Sequence, residues 1–134
     1  MVDLIQEALT KRIIGSFYEV YNTLGYGFLE KVYENALCAE FEDVGLPHAQ
    51  QVPIEVRYRG RAVGEYFADL VVDGAVIIEV KAVQTVLPQD EAQLLNYLKA
   101  TGIEVGLVLN FGPRARVVRK VRQASSKRIG SESS

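Results

Sequence analysis

The run that decides the fold is Phe67–Ala82, F-A-D-L-V-V-D-G-A-V-I-I-E-V-K-A. Two β-branched runs flank Asp73-Gly74, a strong turn dipeptide, so the stretch predicts a β-hairpin. Its first arm lacks strict alternation, because Leu70, Val71 and Val72 form one apolar block. The return arm, Ala75 to Lys81, is almost wholly apolar. Such arms belong in the middle of a sheet covered on both faces. Into that setting the chain puts Glu79 and Lys81, which share one strand face, and Asp69 on the paired arm.

The register decides whether the two carboxylates meet. A two-residue turn at Asp73-Gly74 pairs Val72 with Ala75 and sends Asp69 and Glu79 to opposite faces. A three-residue loop with a glycine bulge pairs Val72 with Val76 and Asp69 with Glu79. The sequence leaves both open. Two carboxylates held together in an apolar sheet lose hydration and repel, so one is protonated or a cation neutralises them. Hard divalent ions take oxygen ligands, and Mg²⁺ uses one or two carboxylates with several waters. The Val80 carbonyl offers a third oxygen, and Lys81 stands beside the water such an ion would hold. That set suits hydrolysis of a phosphodiester. Taken alone, D-x9-E-x-K fits better a Glu–Lys ion pair at a sheet end, with Asp69 solvated or capping a turn.

At 134 residues the chain has the size of one domain. With 49% hydrophobic and 24% charged residues it has the composition of an ordinary globular protein. No apolar run reaches membrane-spanning length and no signal-peptide pattern opens the sequence, so no membrane partner is expected. The lone Cys38 excludes an internal disulfide and a cysteine zinc cluster, and fits a reducing, cytoplasmic setting. A net charge of −2 argues against simple coating of nucleic acid. The charge is uneven, however. Residues 1–113 hold eight Lys/Arg against sixteen Asp/Glu, whereas residues 114–134 hold seven against one. Arg114, Arg116, Arg119 and Lys120 in that segment are candidate nucleic-acid contacts, or charges that guard an edge strand.

Helical periodicity predicts an amphipathic helix over 3–24 with Asp3 as its cap, a break at Gly25-Tyr26-Gly27, and a second helix over 28–44 ended by Gly45. Glu30 falls in the first turn of that second helix, close to its apolar stripe. Pro47 and His48 read as a connection. Strands are expected at 51–58, where Pro53 suggests a sheet edge, and then, past Arg59-Gly60-Arg61, leading to Asp69. With the hairpin they form an antiparallel meander. Pro88 opens a helix over 88–101 that carries Gln93 and Tyr97 on one face. Val105–Phe111 is a buried strand, parallel to a neighbour because a helix precedes it, and Ala115–Val121 a last edge strand. The fold class is therefore α/β (α+β), a central mixed sheet flanked by helices in the order α-α-β-β-β-α-β-β. Residues 1–122 form a single domain, and the Ser-rich 123–134 a disordered tail. An apolar face of the first helix (Ile14, Phe17, Tyr21) serves either the core or a homodimer.

In this order the elements and motifs resemble the PD-(D/E)xK nuclease superfamily, and within it the small bacterial GxxExxY family. The naming motif stands as Gly27-Phe28-Leu29-Glu30-Lys31-Val32-Tyr33. Similar stretches are Gln51-Val52-Pro53, Tyr66-Phe67-Ala68-Asp69, Ile78 to Val83, Gln93 to Thr101 and Gly106 to Phe111, so the likeness covers residues 10–120. The superfamily's proline before the first Asp is replaced by Ala68. The resemblance implies a restriction-endonuclease-like core. It makes Asp69 and Glu79 the carboxylates for Mg²⁺ or Mn²⁺, Lys81 the catalytic lysine and Glu30 a helix-borne acid completing the cluster. It also makes Gln93 and Tyr97 a Q-x3-Y element that positions substrate or the lysine. No organic cofactor is implied. Two functions follow: a metal-dependent nuclease acting on DNA or RNA, or a catalytically silent nuclease-fold module that binds nucleic acid or a protein partner.

Overall fold

The computed structural model describes residues 5–123. Asp3, expected as a cap, and the tail beyond Gln123 lie outside the described residues. The chain runs α1 (Glu7–Leu24), α2 (Glu30–Val44), β1 (His48–Tyr58), β2 (Arg61–Val72), β3 (Val76–Lys81), α3 (Pro88–Thr101), β4 (Val105–Phe111) and β5 (Ala115–Val121). One five-stranded sheet has the order β1-β2-β3-β4-β5, antiparallel throughout except for the β3–β4 pair. That parallel pair is the one the intervening helix demands, and β1 and β5 are the edges, as Pro53 and the basic last strand suggested.

Helices cover both faces. On one, Ile13, Phe17 and Val20 of α1 and Tyr33, Leu37 and Phe41 of α2 pack on Leu70, Val72, Val76, Ile78, Val80 and alternate residues of β4. On the other, Leu94, Tyr97 and Leu98 of α3 pack on Ile54, Ala68, Val71, Ile77, Val108 and Val118. The strands β3 and β4 are thus apolar in nearly every position because both their faces are covered. Contact with α3 is close at Gly106, where an added Cβ would sit 2.6 Å from a Leu94 methyl. The apolar side of α1 goes into this core. Phe17 is fully buried, and the Tyr21 hydroxyl donates to the carbonyls of Gly112 (2.9 Å) and Pro113 (3.1 Å).

The hairpin takes the bulged form. Ala75 N–H donates to Val72 O at 2.9 Å, yet Val72 pairs with Val76, Val71 with Ile77 and Leu70 with Ile78. Asp73 and Gly74 both have positive φ, 54° and 62°. Such a turn favours Asp and Gly, and leaves Ala75 as the extra residue.

Three local expectations change. The helix α2 starts at Glu30, two residues late, because Leu29 is extended (φ −71°, ψ 156°) and stands as its N-cap, while Phe28 N–H donates to the Tyr33 hydroxyl at 3.2 Å. The strand β1 starts at His48, three residues early. His48 is no loop residue: its Nδ1 lies 2.9 Å from Leu46 O and its ring packs on Phe41. The helix α1 is preceded by Gln6 in a left-handed conformation (φ 57°), with no side-chain cap.

Candidate active site

The ladder between β2 and β3 stops short of its full length. Its last pair is Leu70–Ile78, and at the next position the side chains take over. Asp69 N–H donates to Glu79 Oε2 at 3.1 Å, and Val80 N–H donates to Asp69 Oδ2 at 2.8 Å. The two carboxylates thus accept the amides that strand carbonyls would otherwise receive, and the sheet opens around them. The neighbouring strand is irregular at the same level. Gln51 has a φ of 54°, and the β1–β2 ladder skips the Gln51–Asp69 pair. Ala68 and Val71, three residues apart, both face α3, so the two-residue pleat breaks at Asp69. A period-two reading of β2 cannot see this.

The site is a place of high electrostatic stress. Burial first, and then the nearby Asp69 charge, together push the Glu79 carboxyl up to about 8. Asp69 is raised as well, first by burial, against which the Val80 N–H works. Tyr97 on α3 is pushed up to about 12 by burial and by the charges of Glu79 and Asp69, which places its hydroxyl in their field. Glu79 is only 9% exposed, and its Oε1 takes no hydrogen bond among the described residues.

Lys81 follows on the same strand face as Glu79, and its Nζ lies 3.6 Å from Asp90 Oδ1 in the first turn of α3. The other oxygen of Asp90, Oδ2, accepts Leu87 N–H at 2.9 Å and caps that helix. One aspartate therefore fixes both the start of α3 and the lysine. Asn110, 2% exposed and paired with Lys81 across β3–β4, secures the chain just beyond. It accepts Val83 N–H (3.0 Å) and donates to Val83 O (2.9 Å). A single polar residue inside V-G-L-V-L-N-F was the signal for it.

The helix-borne acid near the pair is Glu34, whereas the sequence singled out Glu30. Glu30 is exposed and is not among the charges that act on Asp69 and Glu79. Glu34, one turn later, is 3% exposed and its charge raises both carboxylates. Gln50 and Gln51 from β1 donate to it at 2.7 and 3.0 Å, and Lys31 pairs with it at 3.1 Å. Gln51 also reaches Asp69 at 3.4 Å, linking the two acids. Glu34 went unnoticed because it lies beside Tyr33, outside the apolar stripe, and the glutamines that hold it come from a strand distant in sequence.

The other motif residues divide. Tyr33 is structural: buried and stacked on Phe111 (4.4 Å, 10°), it donates to Gly25 O at 2.6 Å and so closes the break between the helices. Gln93 and Tyr97 line one wall of a groove of about 1060 Å³ between α3 and the β1–β2 arm. The basic set is not one strip. Arg114 and Arg116 are exposed, but Arg119 Nη2 donates to Ile5 O (2.6 Å) on the α1 side and Lys120 pairs with Glu91 (2.8 Å) on the α3 side.

Among the described residues no three His, Cys, Asp or Glu side chains converge as a metal-holding group. The Asp69–Glu79 pair nonetheless fits a hard divalent ion. A buried and a half-buried carboxylate that repel each other, with one carboxylate oxygen free, supply the one or two acidic ligands that Mg²⁺ takes alongside water.

Among solved structures, the chain is similar to the crystal structure of SSO0001, with a TM-score of 0.57 and 19% identity over 92% of this chain and 63% of that one. It is also similar to an alkaline exonuclease (LHK-Exo) from Laribacter hongkongensis, with a TM-score of 0.51 and 12% identity over 77% of this chain and 60% of that one. The chain thus spans under two thirds of the length of either protein, and at these identities the likeness is one of fold. No curated protein sequence matches it significantly. The family model for the PD-(D/E)XK nuclease superfamily matches residues 7–123, which include Asp69, Glu79 and Lys81, and the chain belongs to that superfamily.

Proposed function

We propose that this chain is a divalent-metal-dependent nuclease that hydrolyses phosphodiester bonds, with DNA the expected substrate and RNA the alternative. The observation that carries the reading is the reciprocal pair Asp69–Glu79 at the point where the sheet opens, with Lys81 two residues on. Asp69, Glu79 and the Val80 carbonyl would hold Mg²⁺ or Mn²⁺. The ion's contribution when bound would be to neutralise phosphate charge and make water more acidic. Lys81, held by Asp90, offers an ammonium to charge that develops on the phosphoryl oxygens. Glu34 takes the part of the helix-borne acid that the motif gave to Glu30, acting through Gln51 on Asp69. Gln93 and Tyr97 position substrate from α3, and the exposed Arg114 and Arg116 are the phosphate contacts. Gly27, Glu30 and Tyr33 support placement in the GxxExxY group, and the lone half-buried Cys38 supports a cytoplasmic setting.

A second reading, a nuclease fold that binds without turnover, draws on the Lys81–Asp90 ion pair, which competes for the lysine. One experiment separates them. The full chain is incubated with single- and double-stranded DNA and with RNA, in Mg²⁺ and in Mn²⁺, beside Glu79→Gln and Lys81→Ala. The nuclease reading expects cleavage that falls by roughly a hundredfold or more in each variant. Equal rates in variant and parent overturn the site. A folded parent that cleaves nothing favours the silent module.

A further inference from the structure

The groove that Tyr97 borders has a wall, on the β1–β2 side, that the proposed hydrolysis leaves unused. Tyr66 on β2 is 47% exposed, and its ring stands 5.7 Å from that of Tyr97 at 47°. Tyr97 is 6% exposed, so the pair is a buried ring supporting an open one. Across the groove, the side-chain amides of Gln93 and Asn96 have no hydrogen-bond partner among the described residues. Lys99, one helical turn beyond Asn96, is an exposed cation with no ion pair among the described residues. Arg57 lies on the opposite wall, and Glu55, the one acid lining the groove, pairs with it at 2.9 Å. The lining charge is therefore net positive in a chain whose formal charge is −2.

We infer that this groove binds an unpaired strand of nucleic acid, with a base stacked on Tyr66, its edge toward Gln93 and Asn96 and its phosphates toward Lys99 and Arg57. The inference rests on the nuclease reading and narrows its substrate class to single-stranded segments. In a duplex the base faces are already stacked and the ring of Tyr66 has nothing to receive. An unpaired strand presents both faces, and aromatic platforms with amides beside them are the usual means of holding it. The groove also leads to the chemistry. Asp69 is three residues along β2 from Tyr66, about 10 Å of strand. Tyr97 borders the groove and stands in the field of both carboxylates. A strand stacked on Tyr66 runs on toward Asp69 and Glu79.

Binding is measured by fluorescence anisotropy in excess chelator, so that no cleavage intervenes, with labelled oligo(dT), oligo(U) and a DNA duplex, each about 15 units long. The parent should bind a single strand more tightly than the duplex. The better of oligo(dT) and oligo(U) names the sugar. Tyr66→Ala should weaken single-strand binding roughly 5- to 100-fold, while Tyr66→Phe keeps it. Asn96→Ala, on the exposed side of α3, should weaken it without touching the sheet. Circular dichroism checks that each variant folds. Single-strand affinity unchanged by both alanine variants overturns the inference, as does an equal loss for the duplex. The two readings fail separately. Metal-dependent cleavage lost in Glu79→Gln, with binding indifferent to Tyr66, sinks only the groove. Tyr66-dependent binding by a parent that cleaves nothing sinks only the nuclease.

Discussion

The β2–β3 pair has two ends built on opposite terms. At the turn end, Leu70, Val71 and Val72 meet Ile78, Ile77 and Val76 in regular backbone pairing, and all six are buried. One position further the ladder gives way to Asp69 and Glu79, each accepting an amide on its own carboxylate. The first end stabilises the fold through apolar burial. The second places two like charges where burial alone pushes both carboxyls upward. The strands are the same, so the contrast isolates what side-chain chemistry changes. A closed ladder leaves no free oxygen, whereas the open end presents one.

The contrast breaks most visibly at Ile77, which is fully buried against α3 and paired with Val71. Ile77→Ala removes methyl groups from a close-packed layer and should cost about 2–5 kcal/mol of folding stability. Chemical denaturation measures it. Cleavage per folded molecule should stay near that of the parent, because the loss falls on the closed end. A variant of near-parental stability with a lost rate would mean that the two ends are not separate.

Glu79→Gln should have the opposite sign. The folded-state pKa of Glu79, about 8, lies above its ordinary value of 4.5, so the folded protein holds this proton more tightly than the unfolded chain. The stability it lends is complete below about 4.5 and is lost as pH rises through about 8. Asp69 shifts in the same direction. Without metal, Glu79→Gln should match the parent near pH 4 and exceed it by about 1–3 kcal/mol at pH 8, since its amide carries no charge to bury. Thermal melts in chelator across that range read the difference. A variant less stable than the parent at pH 8 would show that the carboxylate stabilises the open end, contrary to the electrostatic stress at the pair. The same substitution should abolish cleavage, so stability and activity oppose each other at one atom.

The closed end was legible in the sequence and the open end only in part. Asp73-Gly74 between β-branched runs announces a hairpin, and the buried β4 after a helix announces the parallel pair. Register was not legible, because both loop lengths satisfy Asp73-Gly74 and only the pairing of Val72 with Val76, with Ala75 as the extra residue, selects one. Asp69 and Glu79 were found as residue types. Their exchange of amides was not, because it depends on the pleat breaking at Asp69 and on Gln51 adopting a left-handed conformation. Glu34 is the instructive miss. The resemblance marks Glu30 as the helix-borne acid, but burial of a helical carboxylate is decided by what packs opposite, here Gln50 and Gln51 of β1. Periodicity reports one element's own face and says little about its neighbours.

The smallest effect tests whether Tyr33 serves the open end directly. Tyr33 stacks on Phe111 and its hydroxyl bridges Gly25 O and Phe28 N–H, at 2.6 and 3.2 Å. Tyr33→Phe keeps the ring and its stack and removes the bridge, leaving one carbonyl and one amide at the helix break to find water. Part of that region is open to solvent: Tyr26 and Phe28 are both exposed. The cost should therefore sit at the low end for hydrogen bonds, about 1 kcal/mol. Glu34, on the next position of α2, depends on the helix staying in place but not on this hydroxyl. The expected result is a melting point lower by a few degrees and a cleavage rate within about twofold of the parent. A much larger rate loss at that small stability cost would mean that the helix break sets the position of Glu34. The motif's tyrosine would then reach the carboxylate pair through α2, and the division between closed and open ends would extend beyond the two strands.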